Sequence, residues 1–164
     1  MRRLLASATI ALLLATPLAA KDSLGVFSDW GAFRDPDAPR CYAIAMAQPD
    51  TGTSTRAYQP FASIGTWPRR QVRNQIHIRL SQKLAPDSAI TLRIGAQRFA
   101  LTGGGGDAWA ADKTMDAAVI AAIRSASSMS VIARDASGKS FTDRYSLSGA
   151  ATAIDAATVG CAKR

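Results

Sequence analysis

Ile90-Thr91-Leu92-Arg93-Ile94-Gly95-Ala96-Gln97-Arg98-Phe99-Ala100-Leu101 holds two short runs in which apolar and polar side chains alternate, separated by a Gly-Ala pair. Alternation with period two marks a strand with one buried face. A two-residue connection that begins with glycine suits a type II′ hairpin, whose first central residue needs positive φ. The register follows from the turn. With Gly95 and Ala96 at the tip, Leu92 meets Phe99 and Ile90 meets Leu101 on one face, while Arg93 and Arg98 fall opposite each other on the other face. Turn chemistry and hydrophobic phase agree, so antiparallel β structure is the starting point for the whole chain.

Working outward, Ile76, Ile78 and Leu80 alternate with Gln75, His77 and Arg79 and predict another half-buried strand before the Pro86-Asp87 turn. On the other side, Gly103 to Gly106 read as a flexible loop leading to Trp109. Met115, Ala118, Val119, Ala122 and Ile123 then recur at helical spacing behind a possible N-cap, Asp112, and predict a helix near residues 112–125. Residues 129–134 and 140–147 form a second hairpin around a turn at 135–139. An alanine-rich helix near residues 149–159 follows, capped by Ser148 and ended by Gly160 just before Cys161. Upstream, residues 24–30 read as an opening strand, 31–40 as a loop rich in Asp and Pro, 41–47 as a strand and 48–55 as a turn. Residues 58–67 are apolar but interrupted by Pro60 and Gly65. The expected fold is mostly β, an antiparallel sandwich or barrel with two α-helices.

The chain has 164 residues. Arg2-Arg3, an uncharged apolar run over residues 4–16 and Ala19-Ala20 before Lys21-Asp22 have the form of a cleavable secretory signal over residues 1–20. The run is shorter than the ~20 residues a membrane-spanning helix needs. Residues 21–164 are then one domain. Losing Arg2 and Arg3 leaves 18 Lys and Arg against 12 Asp, a net charge of +6. An exported basic protein meets anionic envelope polymers, lipid head groups or acidic proteins rather than nucleic acid. The expected location is periplasmic or secreted. In that oxidising compartment Cys41 and Cys161, the two cysteines of the chain, are expected to form one disulfide.

Composition excludes several chemistries. The chain has no Glu and a single His, so neither the H-E-x-x-H zinc signature nor a multi-histidine metal site can be built. The four glycines at 103–106 lack the Lys-Ser or Lys-Thr of a P-loop. Asp35 with Asp37, or Asp107 with Asp112 and Asp116, would be an acidic pair for hydrolysis, although turns and helix starts attract Asp for local hydrogen bonding. His77 has no G-x-S-x-G partner motif. Trp30, Trp67 and Trp109 read mainly as packing residues, Trp109 being the best candidate for an exposed one because it follows the glycine loop. The remaining candidate is basic: Arg69, Arg70, Arg73, His77 and Arg79, with the opposed Arg93 and Arg98, would form a surface for an anionic partner, the alternative being a solvated edge whose charges discourage strand-to-strand aggregation. No cofactor, metal or catalytic residue is expected.

The chain resembles the invasion-associated locus B family of exported alphaproteobacterial proteins over residues 23–161. The resemblance is carried by Phe27-Ser28-Asp29-Trp30, Pro39-Arg40-Cys41, the hairpin Leu92 to Phe99, the alanine-rich stretch 116–125 and Tyr145-Ser146-Leu147-Ser148-Gly149-Ala150-Ala151. It departs from the family's pattern in having few cysteines: Phe33 follows Trp30 where many members place one, and the central helix has none. The resemblance implies a non-enzymatic envelope protein and brings no catalytic residues with it. A periplasmic hydrolase using an Asp pair and a purely structural envelope protein are the alternatives.

Overall fold

The computed structural model describes residues 21–49 and 55–162. Among them the strands are β1 (Asp22–Phe27), β2 (Trp30–Asp35), β3 (Arg40–Met46), β4 (Phe61–Trp67), β5 (Val72–Arg79), β6 (Ile90–Ile94), β7 (Gln97–Gly104), β8 (Asp107–Trp109), β9 (Ser128–Arg134) and β10 (Ser140–Ser146). The α-helices are α1 (Lys113–Ile123) and α2 (Ala150–Ala162). The expected signal at residues 1–20 and most of the expected turn at 48–55 lie outside the described residues.

The strands form one antiparallel sheet in the order β1-β2-β3-β4-β5-β8-β7-β6-β9-β10. The 90–101 hairpin has the register its turn predicts, with Ile90 opposite Leu101, Leu92 opposite Phe99 and Arg93 opposite Arg98. Gly95 takes φ +55°, the conformation for which a II′ turn selects glycine. The sheet curls until its edges approach. Trp30, fully buried at the start of β2, donates its indole N–H to the Ser146 carbonyl of β10 (2.9 Å), and Gln48 N–H reaches the Arg144 carbonyl (2.8 Å). The expectation of an antiparallel sandwich or barrel with two helices is met by this curled sheet.

The concave side holds one core. Ile76, Ile78 and Leu80 from β5 and its continuation, Leu92 and Ile94 from β6, and Val131 from β9 are essentially inaccessible. Each such aliphatic side chain contributes about 1.5–3 kcal/mol by leaving water. Helix α1 packs on β5, β6 and β7, and α2 on β1, β2, β3 and β4. Asp112 caps α1 by accepting the Met115 N–H at 2.8 Å. Cys41 and Cys161 are joined, as the cysteine count predicts, with Cα atoms 5.7 Å apart, so the end of α2 is fixed to the start of β3.

Three sequence expectations need correction. The opening strand ends at Phe27, and Ser28-Asp29 is a turn with Ser28 at φ +51°, so residues 31–35 of the expected loop are strand β2. Trp30 and Ala32 point inward while Gly31 and Phe33 do not, a period-two pattern that the Asp-Pro-rich residues beyond obscure. The glycine run at 103–106 is not a free loop. Gly103 and Gly104 continue β7, Gly105-Gly106 turn into β8, and a Cβ on Gly103 would lie 2.2 Å from the Asp107 carbonyl oxygen. Glycine is there for close strand approach. Gly160 does not end α2 but lies within it, where a Cβ would come 2.5 Å from a Leu24 methyl.

Candidate functional site

Arginines occupy the convex face of both halves of the sheet, and their surroundings differ. In the hairpin half, alternation turns Arg93 and Arg98 outward as an opposed pair. Strand β9 then pairs with β6 so that Ser130 stands beside Arg93, and β10 pairs with β9 so that Arg144 stands beside Ser130. The result is a row across four strands, Arg98–Arg93–Ser130–Arg144. At a strand spacing of about 4.8 Å it spans ~14 Å. All three arginines are exposed, and none of their guanidinium groups has an ion-pair or hydrogen-bond partner among the described residues. The next row is Ala100–Thr91–Ile132–Thr142, small, aliphatic and hydroxyl-bearing. Arg134 adds a fourth exposed guanidinium, which donates to the Gly138 carbonyl (2.9 Å). The one carboxylate in β6, β7, β9 and β10 is Asp143, which is buried on the other face and accepts the Ser81 N–H at 2.8 Å. Arginines opposed in this way lower sheet stability slightly and concentrate positive potential on the convex surface.

On β5, His77 and Arg79 are answered. His77 and Arg79 alternate outward on β5, and β8 lies alongside with Trp109 opposite His77 and Asp107 opposite Arg79. Asp107 therefore serves both: His77 Nε2 is 2.9 Å from its Oδ1, and Arg79 donates to its Oδ2. Rings complete the cluster. Trp109 stacks on His77 with centroids 5.1 Å apart, Phe61 meets His77 edge-on, and the Arg79 guanidinium lies 4.1 Å from the centroid of Tyr58. Trp109 is the most exposed of the three tryptophans; Trp30 is in the core. Ser63 is opposite His77 in register, but its hydroxyl makes no hydrogen bond to the ring.

Arg69 and Arg70 lie in a single 3-10 turn (Pro68–Arg70) after β4, and Arg73 follows in β5; all three are exposed. The expected basic surface is thus divided among an unanswered row at Arg93 and Arg98, an answered cluster at His77 and Arg79, and a group at the disulfide end. Arg144, which the sequence analysis did not include, joins the first through pairing between two hairpins. That pairing has no local sequence signal.

The aspartates considered for acid chemistry have structural partners or lie apart. Asp35 is buried, accepts the Ala38 N–H (3.2 Å) and lies 3.6 Å from Arg40 Nε. Asp37 is exposed. Asp116 is buried and accepts the Ile76 N–H at 2.9 Å, just past the point where β8 stops at Trp109. Burial raises the Asp116 pKa above its ordinary value; the Ile76 hydrogen bond partly offsets this, and nearby Asp112 adds a smaller rise. Among the described residues no group of three or more His, Cys or Asp side chains is placed to hold a metal ion, and no helix is long and apolar enough to cross a membrane. No protein-family model, curated protein or solved structure matches the chain.

Proposed function

We propose that the protein is an exported, non-enzymatic envelope protein of the invasion-associated locus B type that binds a linear anionic polymer across the convex face of β7, β6, β9 and β10. The observation that carries this reading is the row Arg98–Arg93–Ser130–Arg144, three exposed guanidinium groups with no carboxylate on their face. A guanidinium presents fixed donor pairs to carboxylate, phosphate or sulfate, and a row of them at strand spacing suits charges repeated along a chain. A lipid surface is a poorer fit, because the large exposed apolar residues Val26, Met46, Trp109 and Val159 all lie outside these four strands. Export is supported by the Cys41–Cys161 disulfide, a bond that reducing compartments do not maintain.

The Asp-pair hydrolase finds three of its candidate carboxylates occupied, Asp107 by His77 and Arg79, Asp112 as a helix cap and Asp116 by a backbone amide. A purely structural role leaves the arginine row without a purpose. The reading is tested by titrating the protein with polyphosphate and with a sulfated polysaccharide. Binding at low salt should collapse toward 1 M salt, where the Debye length falls to ~3 Å. It should also weaken at least ~10-fold when Arg93, Arg98 and Arg144 are all replaced by Gln, the loss of about 1.4 kcal/mol or more. Binding to neither polymer, or equal binding by the triple variant, refutes the proposal. Preferential binding to anionic vesicles replaces the polymer with a membrane.

A further inference from the structure

A second basic feature lies at the disulfide end and involves none of the arginines of the row. Arg34 at the end of β2, Pro39 and Arg40 at the entry to β3, Pro68 and Arg69 in the 3-10 turn, and Cys161 near the end of α2 enclose a cavity of about 250 Å³. Three guanidinium-bearing side chains line it, and no carboxylate does. Two neighbouring acids are engaged outside this lining, Asp22 accepting from Arg34 and the buried Asp35 lying 3.6 Å from Arg40 Nε and 3.9 Å from Lys21 Nζ, while the exposed Asp37 lines the adjoining cavity with Pro39 and Arg69. Arg69 has no such partner among the described residues. Arg40 is held in place from the side, its guanidinium 4.6 Å from the Tyr42 ring centroid and 5.9 Å from that of Trp67. Its Nε is buried and makes no hydrogen bond, with the Asp35 carboxylate 3.6 Å away as its ion-pair partner.

We propose that this cavity binds a single phosphate or sulfate monoester group, the anion held by Arg40 and Arg69 with Arg34 at the rim and its organic substituent set against Pro39, Pro68 and the disulfide. Size supports a small group. Pockets for drug-sized ligands run from about 300 to 1,000 Å³, so this one is below the range for an acyl chain or a nucleotide but large enough for an oxyanion with a short substituent. Charge supports an anion, and forked donors from more than one direction favour a tetrahedral oxyanion over chloride. The cavity also requires the disulfide, since Cys161 is part of its wall.

The experiment is calorimetric titration of the intact disulfide-bonded protein with inorganic phosphate and with methyl phosphate, at ionic strength held constant with sodium chloride. It is run on the wild type, Arg69→Gln and Lys83→Gln. Saturable phosphate binding that is about tenfold weaker in Arg69→Gln, the loss of one charge-assisted contact, and unchanged in Lys83→Gln, an exposed cation outside both basic sites, is the expected result. Arg69 is exposed and makes no ion pair, so its replacement should leave the melting temperature unchanged; if it does not, Arg69→Lys provides the second variant, with intermediate affinity. No saturable binding, or equal binding by all variants, overturns the proposal. Sedimentation with vesicles containing phosphatidic acid separates sources: association lost in Arg69→Gln assigns the group to a lipid head, and phosphate binding without association assigns it to a free monoester. Either result upholds the site. Loss of polymer binding in the Arg93, Arg98 and Arg144 variant with phosphate binding intact, or the reverse, separates this proposal from the polymer reading.

Discussion

The β5 half and the hairpin half of one sheet use the same residue type to different ends. On β5, Arg79 stands opposite Asp107, leans on Tyr58 and shares its carboxylate with His77. On β6, Arg93 stands between Arg98 and Ser130, with Arg144 one strand farther on. Register alone decides between them. A strand of three residues, β8, delivers one aspartate that answers Arg79 and His77, whereas the second half gathers three arginines and receives none. The halves also differ in how they are fixed. The β1–β4 side carries α2, the disulfide and the bidentate Arg124–Asp155 pair that ties α2 to the end of α1. The far edge, β9 and β10, depends on hairpin pairing and the core.

The largest expected effect comes from cutting the staple. Replacing Cys41 and Cys161 with Ser should cost about 4–5 kcal/mol, the loop-closure entropy of a 120-residue separation before any native strain is deducted. Urea denaturation measures the total. Hydrogen exchange should locate the first losses in α2 and β3, and equal losses in β9 and β10 would erase the mechanical contrast.

Next in size is Asp116, which takes over the ladder where β8 ends. Asp116→Ala leaves the buried Ile76 N–H without an acceptor and should cost about 1–3 kcal/mol. Asp116→Asn keeps an acceptor and removes the ionisation. Because the folded pKa of Asp116 is raised above 3.8, its favourable contribution is complete below that pH and is lost as pH rises through the folded value. The difference in stability between Asp116→Asn and wild type should therefore move in favour of Asn from pH 3.5 to pH 7. Urea midpoints at the two pH values check the sign.

Asp107→Asn tests the comparison itself. The Arg79 ion pair it removes and the His77 contact it weakens are partly exposed, so stability should fall by no more than about 1 kcal/mol. With Arg79 released, affinity for polyphosphate should rise, since the β5 face then resembles the other half. The smallest effect belongs to Arg93→Gln with Arg98→Gln. Removing an opposed like-charge pair should stabilise the fold by a few tenths of a kcal/mol, roughly the lower end of cross-strand pair energies, detectable as a higher midpoint.

The hairpin was legible from twelve residues because its turn and its alternation carry the same information. Asp112, the α1 periodicity and the cysteine pair were legible for similar local reasons. Strand β2 was hidden because Ser28-Asp29 lacks the Gly or Asn expected in so tight a turn, and β8 because three residues after four glycines give no period to read. Of the basic surface, the opposed Arg93 and Arg98 followed from one hairpin. The answering of Arg79 by Asp107 and the addition of Arg144 to Arg93 both depend on which strands become neighbours, a tertiary fact that residues 28 and 51 positions apart do not encode locally.

The central claim is that the unanswered row binds anions and the answered cluster does not, and the side-chain Nε–Hε resonances of the arginines report on it directly. Titrating nitrogen-15-labelled protein with a short polyphosphate should move the signals of Arg93, Arg98 and Arg144 together, with one affinity, and leave Arg79 in place until Asp107 is replaced by Asn. Movement of Arg79 in the wild type at the same concentration, or a row that stays still while other arginines move, would contradict it.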